Sequence, residues 1–332
     1  VPWRRRSRVD RVEVALSEAL NGDRGALPPG VSSPQELRGT LQKDGYLSDA
    51  GLSTAIFLAL KLGRPLFLEG EAGVGKTEVA KTLSRLLDTP LIRLQCYEGI
   101  DASQAVYDWD YARQLLHIRT TEAFGENEDR KRVEDELYTR EFLVGRPLLQ
   151  ALEHHGDNPP VLLIDEVDRA DDEFEAFLLE VLSEFAITIP ELGTVAAARP
   201  PVAVITSNRT REVHDALKRR CLYFYIDHPA LEREVEIVRM RVPGADERLA
   251  RQVAEAVQSL RQMGLYKSPG VAESLDWTES LVALGATELD EALIEATLGS
   301  VLKYREDQQR TLGSSLSAIL GGVGAASKGS GD

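Results

Sequence analysis

Cysteine is almost missing from this chain: Cys96 and Cys221 are the only two in 332 residues. That excludes a disulfide-stapled scaffold and leads us to expect a reducing, cytoplasmic compartment. Long apolar runs are missing too. The longest, Ala55 to Leu62, is interrupted by Lys61 and falls short of the ~20 residues a membrane-spanning helix requires. Positive charge is in deficit, with 39 Lys and Arg against 54 Asp and Glu and a net charge of −15. Whole-chain binding to nucleic acid is disfavoured on that count, because phosphate affinity is drawn from an excess of basic side chains, although a local basic patch passes the test. Export is not expected from the first residues. The cluster Arg4-Arg5-Arg6 with Arg8 is followed by Val9-Asp10-Arg11-Val12-Glu13 rather than by an apolar core. The first residue is Val1 and not Met, which points to a processed, truncated or recombinant start.

What is present is enough chain for one large domain or two ordinary ones. Residues 1–32 read as an arm and linker ending in Pro28-Pro29-Gly30, and residues 311–332, rich in Gly, Ser and Ala, as a disordered tail. Between them, short apolar runs alternate with helical patterns. Pro65–Glu69, Leu91–Leu94, Val161–Ile164, Val202–Ile205 and Leu222–Ile226 read as strands, most of them buried on both faces. Phe174, Phe177, Leu178, Val181, Leu182 and Phe185 form a 3.6-residue stripe. Strand and helix in alternation predict an α/β parallel sheet over residues 33–229. After Leu231 only helical periodicity remains, with helices around Leu249 to Leu260, Leu275 to Leu284 and Leu289 to Tyr304. An all-helical domain over residues 230–310 is expected.

Four segments carry chemistry. Gly70-Glu71-Ala72-Gly73-Val74-Gly75-Lys76-Thr77 fits G-x-x-x-x-G-K-[ST], after a strand and before a helix. Its glycines let backbone N–H groups and a helix N-terminus surround phosphate. Lys76 is expected on the β and γ phosphates of ATP and the Thr77 hydroxyl on Mg²⁺. Second, Val161-Leu162-Leu163-Ile164 runs into Asp165-Glu166. Asp165 is placed to complete the Mg²⁺ shell and Glu166 to activate a water. Third, Val204-Ile205-Thr206-Ser207-Asn208 ends a strand with a polar side chain, and Asn208 is the candidate for orienting that water. Fourth, Lys218-Arg219-Arg220 precedes the last strand. It reads either as a solvated helix end or as the source of a guanidinium for the transferred phosphoryl group.

The set GEAGVGKT, VLLIDEVDRA, ITSN and ALKRRC, in this order, resembles the AAA+ ATPases and within them the MoxR group. Leu91 to Asp101, Tyr107 to Arg119 and Phe142 to Leu152 are similar to the MoxR branch linked to maturation of aerobic carbon monoxide dehydrogenase and related molybdenum hydroxylases. The resemblance runs from about Ser33 to Gln308. It implies a P-loop core with strand order 5-1-4-3-2 and a helical lid. Gly70 to Thr77 then stand as Walker A, Asp165 and Glu166 as Walker B and Asn208 as sensor 1. Arg219 or Arg220 is the arginine finger acting across a subunit boundary, with Arg220 preferred because it directly precedes the strand. The resemblance further implies a self-assembled ring, usually a hexamer, a partner with a von Willebrand A domain and a client metalloenzyme. It implies an insertion within Asp101 to Arg140 and a β-hairpin within Ala186 to Ala198. One departure stands out: Ser268-Pro269 is followed by Gly270, where many relatives carry the sensor 2 arginine. Either Lys267 substitutes or lid sensing is weakened. Gln95 is a candidate restraint on Glu166.

Two other classes stay open: a nucleic-acid-associated AAA+ motor, and a nucleotide-gated scaffold that hydrolyses little. A small-molecule kinase uses the same loop but has no need of the Arg219-Arg220 cluster or a separate lid. The five histidines show no metal-ligand spacing, so no metal other than Mg²⁺ is expected. Glu126 to Glu136 reads as a solvated charge run, and Trp109 and Tyr111 as core aromatics in preference to partner-facing ones.

Overall fold

The computed structural model describes residues 25–124, 136–314 and 319. Most of the N-terminal arm, most of the charge run after Glu126 and most of the Gly/Ser tail lie outside them. Two compact units share the chain. One takes the residues up to Thr40, then Asp49–Glu69 and Thr77–Phe224; the other takes Leu41–Ser48, Gly70–Lys76 and the residues from Tyr225 onward.

The first unit is built on a five-stranded parallel sheet of β1 (Leu66–Glu69), β2 (Leu91–Gln95), β5 (Val161–Asp165), β8 (Val202–Ser207) and β9 (Leu222–Tyr225). The spatial order is β2-β5-β8-β1-β9. Counting only these five strands and starting from the β9 edge, that is 5-1-4-3-2. The architecture is a P-loop AAA+ core followed by an all-helical region. Register brings Gln95 opposite Asp165 and Ile164 opposite Ile205, so the polar ends of three strands line up. All five residues of β5 are buried. Unbroken apolar sequence suits a strand covered on both faces.

Helices α1 (Pro34–Lys43), α2 (Ala50–Leu62), α3 (Lys76–Leu86) and α7 (Asp172–Glu184) are joined to these strands. The expected stripe on α7 is real: Phe174, Leu178, Val181 and Leu182 enter one cluster with Phe67, Leu162, Ile164 and Ile205. Asp49 caps α2 by accepting from the Leu52 N–H at 2.7 Å, and Asp171 caps α7 through the Phe174 N–H at 2.9 Å. Each such cap is worth ~1 kcal/mol.

Between β2 and β5 the chain forms α4 (Ala102–Val106), β3 (Tyr107–Trp109), α5 (Tyr111–Phe124), β4 (Leu143–Gly145) and α6 (Pro147–Leu152), with β3 and β4 antiparallel. Trp109 is buried and meets Tyr138 edge-on at 5.3 Å, whereas Tyr111 is exposed and is not a core residue. Just before β8, β6 (Ala186–Ile189) and β7 (Gly193–Ala196) make an antiparallel hairpin. A short α8 (Asp215–Arg220) leads into β9.

Among the described residues the second unit holds five helices beyond β9: α9 (Leu231–Arg241), α10 (Glu247–Gln262), α11 (Val271–Ala283), α12 (Glu291–Val301) and α13 (Arg305–Leu312). Periodicity exposes α10, α11 and α12. It misses α9, whose buried face is only Glu234, Val235 and Val238, and α13, which buries Asp307 and Thr311. Trp277 is fully buried at the centre and its indole N–H donates to Thr297 Oγ1 at 2.7 Å. Among the described residues no helix is long and apolar enough to cross a membrane.

Both cysteines are buried in the first unit. Burial raises each thiol from about 9 to about 12, with Asp165, Asp168 and Glu166 adding to the effect at Cys96. Each therefore contributes stability that is complete below pH ~9, where the unfolded thiol is still protonated, and is withdrawn as pH rises toward 12. At pH 8 we expect iodoacetamide to label neither thiol in the folded protein and both in urea, read by intact mass. Rapid labelling of Cys96 in the native chain would contradict its burial.

Candidate functional site

Chemistry collects where β1, β5 and β8 end. The turn from β1 into α3 is the glycine-rich segment, and its shape depends on bare backbone. A Cβ on Gly70 would stand 2.3 Å from the Ile226 carbonyl oxygen, and one on Gly73, at φ +79°, would stand 2.8 Å from Glu273 Oε2. Lys76 is buried, and its ammonium donates to the carbonyls of Gly70 at 2.8 Å and Glu71 at 2.6 Å. The Gly73 carbonyl in turn accepts from the Val271 and Ala272 N–H groups at the start of α11, at 3.0 and 3.2 Å.

That contact explains the glycine at position 270. A Cβ there would lie 2.6 Å from the Ala72 carbonyl oxygen and 2.9 Å from the Gly73 Cα, both backbone atoms that cannot step aside. An arginine at this position has no room. The Lys267 N–H, with that of Tyr266, is held by the buried Asp307 carboxylate at 3.1 and 2.7 Å.

In the first unit, Thr77 lies in the first turn of α3 and its hydroxyl donates to Asp165 Oδ1 at 3.1 Å. Asp165 is 3% exposed and fully engaged. Oδ1 also accepts from Thr206 Oγ1 at 2.6 Å, and Oδ2 takes Arg93 Nε at 3.0 Å and Nη2 at 2.5 Å. Glu166 follows in the left-handed region, φ 56° and ψ 51°, a conformation that costs a side-chain-bearing residue ~1 kcal/mol or more. Its backbone N–H donates to the same Thr206 hydroxyl at 2.9 Å. Its carboxylate accepts from Gln95 Nε2 and from Arg169 Nη1, each at 3.2 Å. Thr206 therefore bridges the two acidic residues, accepting from one backbone and donating to the other side chain.

Asn208 is placed through its backbone. Its N–H donates to Asp168 Oδ1 at 3.1 Å, and Asp168 also takes the Thr210 N–H at 2.8 Å and the Thr210 hydroxyl at 2.6 Å. Asp168, almost wholly buried, so ties the turn after β5 to the turn after β8. Close by, the buried Glu69 at the end of β1 pairs with Arg209 and Lys218, both at 3.1 Å.

The two arginines of α8 stand apart from this cluster. Arg220 donates to Ser183 Oγ at the end of α7, whereas the Arg219 side chain is 80% exposed and pairs with the likewise exposed Asp215 (70%) at 2.6 Å. Arg93, Asp168 and Thr206 are functional neighbours that sequence reasoning passed over. Arg93 left a signal, a charge two residues before Gln95 in an otherwise apolar strand.

Mg²⁺ is held by hard oxygens and usually takes only one or two from the protein, the remainder coming from water and phosphate. Thr77 Oγ1 and the Asp165 carboxylate, in contact, are such a pair, and the glycine loop offers the backbone phosphate needs.

Residues 65–221 match the family described as the AAA domain of the dynein-related subfamily. The matched stretch runs from the residue before β1 to the residue after α8, the span of the P-loop AAA+ core. An uncharacterized protein of Staphylococcus saprophyticus is 26% identical over 263 residues, covering 76% of this chain and 90% of that one. An uncharacterized protein of Staphylococcus aureus strain NCTC 8325 is 27% identical over 211 residues, covering 61% and 70%. Among solved structures, the Thermotoga maritima RuvB Holliday junction branch migration motor aligns at 15% identity and a TM-score of 0.41. The match covers 75% of this chain and 66% of the RuvB chain.

Proposed function

We propose that this protein is an ATP-hydrolysing AAA+ machine of the MoxR group that assembles into a ring and remodels a client protein, a molybdenum hydroxylase undergoing metal-cofactor maturation, with a von Willebrand A domain protein as partner. The observation that carries the ATPase reading is the contact of Thr77 with Asp165, with the neighbouring Glu166 carboxylate held by Gln95 and Arg169. Residues Gly70 to Gly75 and Lys76 bind the phosphates. Thr77 and Asp165 would hold Mg²⁺, which would supply positive charge against that developing on the phosphate oxygens. Glu166 accepts a proton from the attacking water, and Asn208 orients that water. In support of the MoxR assignment stand the strand and helix insertion between β2 and β5 and the β6–β7 hairpin directly before β8, the two positions the resemblance names.

Of the two arginines, Arg219 is the better finger, because its guanidinium is exposed while that of Arg220 is engaged with Ser183. Mass by light scattering with and without ATP·Mg²⁺ tests the assembly. A ring of about six subunits that forms or tightens with nucleotide is expected. Arg219→Ala should lower turnover by about a hundredfold or more in the assembled ring, with Arg220→Ala doing much less. A monomer under every condition would overturn the trans-acting finger.

A further inference from the structure

Asp165, the carboxylate assigned to Mg²⁺, already has a full-strength cationic partner. Arg93 reaches across from β2 and places both Nε and Nη2 on Asp165 Oδ2. A buried carboxylate needs such compensation, since burial of an uncompensated charge is strongly unfavourable. The same guanidinium cannot serve equally well with a divalent ion at that carboxylate, because two like charges would then compete for one pair of oxygens. The Arg93 side chain is 53% exposed although its target is buried, so it has a solvent route out along its own flexible stem. Nη2 also donates to Gln95 Oε1 at 2.5 Å, and Gln95 Nε2 donates to Glu166. Release of Arg93 from Asp165 is therefore wired to the residue that restrains Glu166.

Resting on the ATPase reading above, we infer that Arg93 is a competing counter-ion for the Mg²⁺ site: it occupies Asp165 in the nucleotide-free protein, is displaced when Mg²⁺ arrives with nucleotide, and so sets how much Mg²⁺ the protein requires. Arg93 is a positioning residue in this scheme and touches neither phosphate nor water. Its action falls on the metal requirement and not on the phosphate grip of the glycine loop.

The test is titration of Mg²⁺ against the full chain with a fluorescent ADP (mant-ADP), read as binding and needing no turnover. Arg93→Gln should lower the Mg²⁺ concentration for half-maximal binding by about tenfold, the scale of a lost charge-assisted hydrogen-bond pair. Affinity measured in EDTA should stay within about twofold of wild type, since the loop is untouched. Arg93→Lys keeps one charge but cannot make the two-point contact, so a smaller decrease of about threefold is expected. It also serves should the Gln variant fail to fold. An unchanged or raised Mg²⁺ requirement in the folded variants would overturn the proposal, the raised value marking Arg93 as a support for the metal site. Absence of mant-ADP binding by the wild-type chain at any Mg²⁺ concentration would instead overturn the ATPase reading, and this inference with it.

Discussion

A Glu166→Gln protein should bind ATP within about twofold of wild type and lose steady-state turnover by a factor of about 10³, the range a general base supplies. The change preserves shape and leaves one side-chain oxygen to accept from Gln95 and Arg169. It removes only the oxygen basicity that takes a proton from water. The unusual backbone at Glu166 is held from elsewhere, by its N–H on Thr206 Oγ1, so a glutamine has no reason to relax it. Thr77 and Asp165 keep their contact, and binding persists. Phosphate release and a mant-ATP titration on the same preparation separate the two quantities. Wild-type turnover in the variant would remove Glu166 from the base role.

The largest effect on stability is expected from Arg261→Ala in the helical unit. Arg261 and Glu234 form a two-point pair at 2.7 Å in both contacts, with Glu234 wholly buried. Ser274 Oγ donates to the same carboxylate at 2.6 Å, and Arg261 Nε donates to the Pro269 carbonyl at 2.8 Å. Truncating the arginine leaves a buried carboxylate without its counter-charge, a loss of about 3–5 kcal/mol. Urea denaturation should show it as a lower midpoint. Replacing both partners by methionine should recover most of the loss, because the uncompensated charge is then gone. Because Pro269 immediately precedes the glycine and amides that meet Gly73, the single variant should also weaken mant-ADP binding at urea concentrations below the unfolding transition. Undiminished affinity there would mean that the Pro269 segment does not depend on Arg261.

How much of this could be read in advance depended on how local each feature is. The glycine loop, the acidic pair and the parallel strands are legible because each is written in consecutive residues, and the β6–β7 hairpin could be placed from the resemblance. Arg93, Thr206 and Asp168 were not legible as a set. Their roles exist only because register sets Gln95 opposite Asp165 and Ile164 opposite Ile205, and a single strand does not declare its neighbours. Helix α13 escaped because REDQQRTL offers no apolar stripe; its buried Asp307 works by holding two backbone N–H groups. Gly270 was visible as a departure, but its reason lay in backbone almost at the other end of the chain.

The hydrogen bonds from Val271 and Ala272 to the Gly73 carbonyl also bear on how the protein is made. They join positions separated by roughly two hundred residues, the kind of long-range closure that forms late because its loop entropy must be met first. On the ribosome the glycine loop emerges early, while the amides that complete its shape belong to a helix not yet synthesised. Nascent chains lacking α11 carry the whole phosphate-binding motif yet lack two of the donors that hold it, so the loop reaches its full shape only once α11 has been made.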